Sequence, residues 1–414
     1  MRLFKRWIAA SLVWYVFGPA PIFAGDIWPQ WRGPNRDGVA AAVVVPETWP
    51  EQLTRVWQVR VGEGHSAPVV ADGKVFVLAR EDGKEVASCF DLETGQTLWQ
   101  QGYKAPYEMS SAARRHGKGP KSTPVFSEGS LFTLGIGGIL SCFEAKNGQL
   151  KWRQDFREQF SGVLPLYGTA MSPLVADEML IAHIGGHDNG ALMAFEVETG
   201  EVKWTWSGDG PAYTSPVIGT FDGVQQVVTQ TQNACMGIAL ATGKLLWQIP
   251  FTTSYDQNIV TPLVSEKAII FSGLRKGTTA YRVRRESDKW KVEQVWHNKD
   301  VSMYMSSPVL TDGLLFGFAH TLKGHFFCLD AGTGEVVWQG GGREGEQAAI
   351  VSAQDVWLCQ KADAELVVVQ KSREGFVPAA RYSVADSPTW ALPAVVDGHL
   401  LVKDALHLVL WRLR

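Results

Sequence analysis

The sequence predicts an all-β fold, an eight-bladed β-propeller whose blades are four-stranded antiparallel sheets. Two repeated patterns along the 414 residues lead to this prediction. The first is a stretch of nine residues, Asp330–Trp338, of which close copies recur. The second is a tripeptide that ends in Pro and precedes a short apolar run. The tripeptide recurs every 46 residues or so on average, which lies within the range of about 40 to 50 residues of propeller repeats.

The nine-residue stretch is typical of a β-hairpin turn. Each copy has a Thr-Gly or Asn-Gly pair between two apolar-alternating runs, and Gly supplies the positive φ that such a turn requires. The turn glycines are Gly95, Gly148, Gly200, Gly243 and Gly334. The tryptophans that end this stretch or an equivalent strand are Trp57, Trp99, Trp152, Trp204, Trp247, Trp296 and Trp338. A large flat side chain once per blade predicts docking between successive blades.

The Pro tripeptide gives the number of blades. Pro is tolerated where a strand needs no ladder donor, as on the innermost strand of a blade, which faces the channel. The markers end at Pro68, Pro124, Pro173, Pro216, Pro262, Pro308 and Pro393. The last gap is about twice as long as the others, and a degenerate strand at Ala348–Ser352 lies inside it. Seven markers and one degenerate strand predict eight blades.

The two ends of the chain are predicted to close the ring. Leu53–Val61 alternates like an outermost strand, but no other strand of its blade adjoins it in the sequence. The last residues form three strands, Leu392–Val396, His399–Lys403 and Leu406–Trp411. Pairing the early strand with this trio would remove both exposed edges. The propeller domain therefore spans residues 53–414, preceded by an irregular strap, 25–52, whose first part is rich in Trp, Pro and Gly.

Residues 1–24 have the pattern of a secretory signal peptide. Arg2, Lys5 and Arg6 precede the apolar run Trp7–Phe17, and Ala24 is a small residue at the cleavage position. The run is too short to span a bilayer, so we expect no transmembrane segment and an exported protein, periplasmic or extracellular. No Cys follows the run, which predicts the absence of a lipid anchor. The formal net charge of −3 predicts no nucleic-acid partner.

The five cysteines are predicted to be free, buried thiols. Cys89, Cys142 and Cys328 lie two residues before the turn acid, where another copy has Ala194. A position that accepts either Cys or Ala is typical of a tight core position.

The repeats resemble a known family. The Asp-x-x-Thr-Gly-x-x-x-Trp stretch with its preceding Ser-x-Pro strand is similar to the PQQ-type repeat of eight-bladed propellers, and the opening Trp28–Asp37 is similar to the start of secreted bacterial PQQ-repeat proteins. That group includes quinoprotein alcohol dehydrogenases and BamB-like envelope proteins. The resemblance covers nearly all of residues 26–414 and implies the fold more strongly than a function, because the repeated residues build blades.

Candidate ligand-binding residues lie in the loops that are predicted to share one face around the channel. A ring of aromatics, amides and histidines is typical of a binding funnel for a flat or polar ligand. Side chains that merely fill a wet channel mouth would give the same pattern. The candidates are His65, Tyr107, Arg114, Arg115, His116, Tyr167, His187, Tyr213, Asp256, Asn258, Tyr304, His320 and Trp390.

An enzymatic alternative follows from the resemblance. Quinoprotein dehydrogenases hold pyrroloquinoline quinone (PQQ) between a Trp and adjacent cysteines, with calcium bound by Glu, Asn and Asp. This chain has no Cys-Cys pair. Asp256 and Asn258 could supply two calcium ligands of the six to eight required, and His183 with His187 could form a zinc pair only on a helix. We therefore expect no catalytic residue, no metal and no cofactor, with PQQ and calcium as the alternative.

The functional expectation is a non-catalytic scaffold that binds a protein or a small ligand on the loop face. Residues 104–121 form a long basic loop that could dock an acidic partner or simply be solvated. Carbohydrate or cell-wall binding is a third class, because Tyr and Trp faces stack on sugars. We expect a monomer, although closure of the ring removes the sheet edges that would indicate pairing.

Overall fold

The computed structural model describes residues 27–160, 164–265 and 267–414. In this part of the chain 32 strands form eight four-stranded antiparallel sheets, which are the blades of a ring. The eight-bladed propeller is thus confirmed. The predicted signal peptide and the first two residues of the strap lie outside the described residues, so the export prediction stays a prediction.

Each blade runs outward from the channel, and seven of them use consecutive strands. Blade 1 contains β2 (Val69–Ala71), β3 (Lys74–Glu81), β4 (Lys84–Asp91) and β5 (Thr97–Lys104), and blade 2 contains β6 (Val125–Ser127), β7 (Ser130–Leu134), β8 (Ile139–Glu144) and β9 (Leu150–Asp155). Blade 3 contains β10 (Leu174–Ala176), β11 (Met179–Gly186), β12 (Asn189–Glu196) and β13 (Val202–Trp206). Blade 4 contains β14 (Val217–Phe221), β15 (Val224–Gln230), β16 (Ala234–Ala239) and β17 (Leu245–Pro250).

The later blades follow the same order. Blade 5 contains β18 (Leu263–Val264), β19 (Ile269–Ser272), β20 (Thr278–Glu286) and β21 (Lys289–Asn298), and blade 6 contains β22 (Val309–Thr311), β23 (Leu314–Ala319), β24 (His325–Asp330) and β25 (Val336–Gln339). Blade 7 contains β26 (Ala348–Ala353), β27 (Val356–Lys361), β28 (Glu365–Gln370) and β29 (Pro378–Ser383). Three short 3₁₀ helices interrupt the loops at Ser111–His116, Ser254–Asp256 and Thr321–Lys323. No helix within the described ranges has the length and apolar character needed to cross a bilayer.

Blade 8 joins the two ends of the chain, as predicted. It contains β30 (Ala394–Val396), β31 (His399–Lys403) and β32 (His407–Arg412), and β1 (Thr54–Arg60) is its outermost strand. β1 pairs antiparallel with β32 in a register that places Thr54 opposite Arg412 and Arg60 opposite His407. The ring therefore closes through hydrogen bonds between residues more than 340 positions apart.

The predicted inner strands are also confirmed. In seven blades the first strand begins directly after the Pro marker, and in blade 7 it begins at Ala348. The structure adds a reason for the Ser or Thr of the marker. The backbone N–H of one marker donates to the hydroxyl of the next blade's marker, as from Thr123 to Ser172 (2.9 Å) and from Ser172 to Ser215 (2.9 Å). The markers thus link neighbouring blades around the channel.

The repeated tryptophans dock on the following blade. The indole of Trp99 donates to the carbonyl of Ala145 at 2.9 Å, and that of Trp152 to Val197 at 2.9 Å. Each ring also covers a turn glycine: a Cβ on Gly148 would lie 2.6 Å from the ring of Trp99. Gly is therefore required at this turn both for its φ of +75° and for the contact.

Trp247 is the exception, and blade 5 explains it. The long hairpin of β20 and β21 replaces the Thr-Gly turn on which Trp247 would dock. Its indole instead donates to the side chain of Gln226 in its own blade, at 2.7 Å.

We expect Gly148→Ala to test the docking geometry. Gly129 has a similar φ of +77° but no heavy atom within 4 Å of its Cβ position, so Gly129→Ala is a matched control. The control should lose about 1 kcal/mol of unfolding free energy through left-handed backbone strain. Gly148→Ala should lose about 3 kcal/mol, because the Trp99 ring must also move. Equal losses in urea denaturation would contradict the docking role.

The strap fills the central channel. Trp28 pairs with Val70 of blade 1, and Val39 pairs with Ser352 of blade 7, so the strap runs along innermost strands. The backbone of Val45 reaches the side chain of Gln354 in the turn after β26, on the face opposite the blade-to-blade connections. The strap therefore enters and leaves by that face, and its tip lies inside the channel.

Two arginines hold the tip of the strap. Arg36 donates to the carbonyls of Ser172 (2.9 Å), Pro173 (2.9 Å) and Pro216 (2.8 Å), and Arg32 donates to those of Ser307 and Pro308. All these carbonyls belong to Pro markers. Burial lowers the pKa of Arg36 to about 9 and that of Arg32 to about 10, so both guanidinium groups remain charged at pH 7. The channel is plugged.

The cysteine prediction is confirmed. All five cysteines are buried and free.

Candidate functional site

A pocket of about 710 Å³ opens on the face that carries the blade-to-blade connections, here called the loop face. Each of the eight connections contributes at least one side chain to it. The lining residues are Trp31, His65, Arg115, His116, Lys121, Tyr167, Ala170, Tyr213, Ser215, Gln257, Ile259, Tyr304, Met305, Ser307, His320, Lys323, Gly345, Glu346, Gln347 and Trp390. The pocket therefore lies on the propeller axis, where the fold brings all the blades together.

The strap forms the floor of this loop-face pocket. Trp31 lies at the tip of the strap, and its indole donates to the hydroxyl of Thr261 at 2.9 Å. The neighbouring Arg32 is only 1% exposed and anchors the tip to blade 6. A ligand that enters from the loop face thus meets an indole rather than an open channel.

Aromatic rings form much of the wall. His116 makes edge contacts with Trp390 (centroids 5.2 Å apart) and with Tyr167 (5.9 Å). Tyr167 in turn contacts Tyr213 at 5.8 Å. Opposite them, the hydroxyl of Tyr304 donates to Gln257 at 2.8 Å, which fixes both side chains. Such a wall offers flat apolar surface with a few polar groups at its edge, as small-molecule sites do.

The charged groups at the mouth are mostly cations. Arg115 pairs with Glu346 at 2.6 Å across the mouth and lies 5.9 Å from the Trp390 ring centroid. The ammonium of Lys121 donates to the carbonyl of Tyr167 at 2.6 Å, and burial lowers the pKa of Lys121 to about 8. Burial, together with the nearby Lys121 and Lys403, lowers the pKa of His65 to about 3, so this imidazole is neutral.

The structure brings eight of the thirteen candidate residues to the loop-face pocket. They are His65, Arg115, His116, Tyr167, Tyr213, Tyr304, His320 and Trp390. Their role in ligand binding stays a prediction. The basic loop 104–121 supplies two of them, Arg115 and His116, at the end of its 3₁₀ helix. Arg115 lines the mouth while largely exposed, and Arg114 is exposed outside the lining.

The other five candidates, Arg114 among them, lie outside the pocket lining. Tyr107 is buried, with its hydroxyl close to Gly168. The Asn258 amide donates to the carbonyls of Thr231 and Phe251, so it holds the loop together. Asp256 lies on the outer rim, where it contacts His187 at 2.8 Å.

Several residues that line the pocket are not among the candidates predicted from the sequence, and four of them bear on the chemistry of the site. Trp31 lies in the strap, whose sequence has no period that would place it in the channel. Glu346 and Gln347 lie before the inner strand of blade 7, which lacks the Pro marker that located the other connections. Lys121 belongs to the predicted basic loop 104–121, and its position directly before the marker Ser122–Pro124 is the signal that places it at the channel mouth.

Comparison with known proteins identifies the family. The family model described as outer membrane protein assembly factor BamB matches residues 82–340, more than half of the chain. The chain belongs to this BamB family. BamB of Yersinia pestis is 22% identical over 373 residues, 86% of this chain and 78% of the relative. BamB of Shewanella oneidensis is 23% identical over 331 residues, 68% of this chain and 79% of the relative. The resemblance to the PQQ-type repeat group is thus confirmed.

Solved structures of the same fold come from both branches of the group. The quinohemoprotein alcohol dehydrogenase of Comamonas testosteroni aligns with a TM-score of 0.69 at 14% identity, covering 93% of this chain and 80% of the dehydrogenase. BamB of Moraxella catarrhalis aligns with a TM-score of 0.63 at 12% identity, covering 87% of this chain and 97% of that protein. At such identities the likeness shows the fold.

The residues at the pocket of this BamB-family chain do not match a calcium-bound quinone. Calcium takes six to eight oxygen ligands, whereas the described lining supplies one carboxylate, Glu346, which already pairs with Arg115. Asn258 and Asp256 have other partners outside the lining. Within the described residues no group of three or more His, Cys, Asp or Glu could hold a metal ion, and His183 bonds the backbone of Asp209 rather than facing His187.

Proposed function

We propose that this BamB-family protein is a non-catalytic binding propeller of the cell envelope and that the loop-face pocket is its binding site. The observation that carries the proposal is the convergence of all eight blade connections on one aromatic pocket whose floor is closed by Trp31. A fold that only served as a spacer would not need a buried strap to close its channel beneath such a pocket.

Two findings support a binding role over catalysis. The relatives are named as assembly factors, which is a binding function and supports a protein partner. The pocket itself has the size and aromatic lining of a site for a compact flat group. Such a group can be a free molecule or an aromatic side chain that a protein partner inserts.

A titration of the purified mature protein tests the proposal. We expect 2-naphthamide, a neutral flat probe, to quench Trp fluorescence with saturation at one site per chain. We expect PQQ to show no calcium-dependent binding, and we expect no reduction of an electron-accepting dye with alcohols or sugars. Calcium-dependent PQQ binding with dye reduction would establish the dehydrogenase alternative instead. Absence of any saturable site for 2-naphthamide and for its carboxylate analogue 2-naphthoate would refute the binding pocket.

A cross-linking experiment separates the two kinds of partner. Arg114 is exposed beside two pocket residues and can carry a photoreactive amino acid. A discrete cross-linked protein that 2-naphthamide displaces would identify a protein partner. Saturable probe binding without any cross-linked protein would count against a protein partner beside Arg114 and favour a free small molecule.

Export is part of the proposal. The signal-peptide pattern of residues 1–24 and the envelope role in the names of the relatives support it. N-terminal sequencing of the secreted or periplasmic protein should begin at Gly25, and retention of Met1 would contradict cleavage.

A further inference from the structure

The loop-face pocket contains a cation without an acidic partner. Lys121 lines the pocket, and its ammonium makes one hydrogen bond, 2.6 Å long, to the carbonyl of Tyr167. Among the described residues no carboxylate forms an ion pair with it within 4.0 Å. An ammonium has three N–H donors, so two remain for a ligand.

The surroundings of Lys121 leave its charge uncompensated. Lys403, which like Lys121 acts on His65, is 1% exposed and is held by the backbone carbonyls of Gly62, Gly64 and Asp404. The carboxylates of Asp404 and Glu63 act on Lys403 and not on Lys121. The only carboxylate of the described pocket lining, Glu346, is paired with Arg115. This end of the pocket is therefore positive, and a partly buried positive charge favours an anion.

The rest of the pocket is shaped for a ring system. Trp31 forms the floor, and Trp390, Tyr167 and Tyr213 form the wall on the side of Lys121. Planar surfaces of this kind bind planar apolar groups through offset or edge contacts. The anion-binding group and the planar surfaces thus lie in one cavity.

We infer that the ligand of the loop-face pocket is an aromatic carboxylate, whose ring lies against the Trp and Tyr side chains while its carboxylate accepts hydrogen bonds from Lys121. The inference rests on the proposed function, because it assigns a ligand class to the same pocket. A charge-assisted hydrogen bond inside a partly buried site is stronger than a neutral one, so the charge of the ligand should decide its affinity.

The test compares two probes of the same shape, 2-naphthoate and the neutral 2-naphthamide, by calorimetric titration of the mature protein at pH 7. We expect 2-naphthoate to bind at least tenfold more tightly, roughly the effect of one charge-assisted hydrogen bond. In Lys121→Met the ratio of the two affinities should fall to about one. Lys121→Arg should retain a preference for the anion, because it retains the charge.

The matched control is Lys118→Met, which removes an exposed lysine from the same loop but outside the pocket lining. This control should keep the tenfold preference. Two outcomes would show that the assignment of an aromatic carboxylate is wrong while leaving the binding pocket intact. In the first, 2-naphthamide binds but the wild-type protein shows no preference for 2-naphthoate. In the second, Lys118→Met abolishes the preference as Lys121→Met does. If neither probe binds, both the assignment and the proposed function fail.

Discussion

Arg36→Leu is expected to lower the free energy of unfolding by roughly 4 kcal/mol, more than the loss expected for Gly148→Ala. The Arg36 side chain is 3% exposed and donates to the carbonyls of Ser172, Pro173 and Pro216. These carbonyls face the channel, where no further strand can donate to them. An unsatisfied buried acceptor costs about 1 to 3 kcal/mol, and leucine would leave three of them.

Equilibrium denaturation in guanidinium chloride measures the effect of Arg36→Leu. The control is Arg282→Leu, because Arg282 is exposed on blade 5. The control should change the free energy of unfolding by less than about 0.5 kcal/mol. If the unfolding free energies of the two variants differ by less than about 1 kcal/mol, the strap does not stabilise the propeller through Arg36, which contradicts its structural role.

Trp390→Ala is expected to weaken 2-naphthamide binding roughly 30-fold, the largest functional effect. Trp390 contacts His116 at 5.2 Å and His65 at 6.3 Å between ring centroids, so it joins two walls of the loop-face pocket. Removal of a central aromatic residue from a binding site typically costs about 2 kcal/mol, which corresponds to this factor. Fluorescence or calorimetric titration measures it.

Trp290→Ala is the matched control for Trp390→Ala. Both tryptophans are partly buried, but Trp290 lies on the blade 5 hairpin and outside the pocket lining. We expect the control to bind 2-naphthamide as the wild type does. Equal weakening by the two substitutions would mean that the probe binds elsewhere or that the fold responds globally.

The sequence predicts the blades because each one repeats the same local chemistry. The turn glycines and the tryptophans recur at fixed spacing because each Trp docks on the turn of the next blade through the same contact, as Trp99 does on Gly148. Closure through β1 and β32 was likewise predictable, because an outer strand without its blade needs a partner. Most of the pocket could be anticipated in the same way, as the Pro markers locate the blade connections.

The parts that the sequence does not predict are those without a repeat. The strap has no period, so neither the plug nor the position of Trp31 follows from its residues. Blade 7 lacks a Pro marker, which concealed the contribution of Glu346. The amide nitrogen of Asn258 donates to backbone carbonyls of its own and a neighbouring loop, which no side-chain pattern reveals. Contacts that occur only once in a repeat protein have no period in the sequence, so only the structure shows them.

The central claim is that the loop-face pocket above the plug is the binding site. A crystal structure of the mature protein soaked with 6-bromo-2-naphthamide tests it most directly, since bromine gives an anomalous signal that marks the ligand position. The account predicts one strong peak inside the pocket, between Trp31 of the strap and the side chain of Trp390. A peak at the rim of a blade or on the opposite face, with the pocket free of ligand, would contradict it.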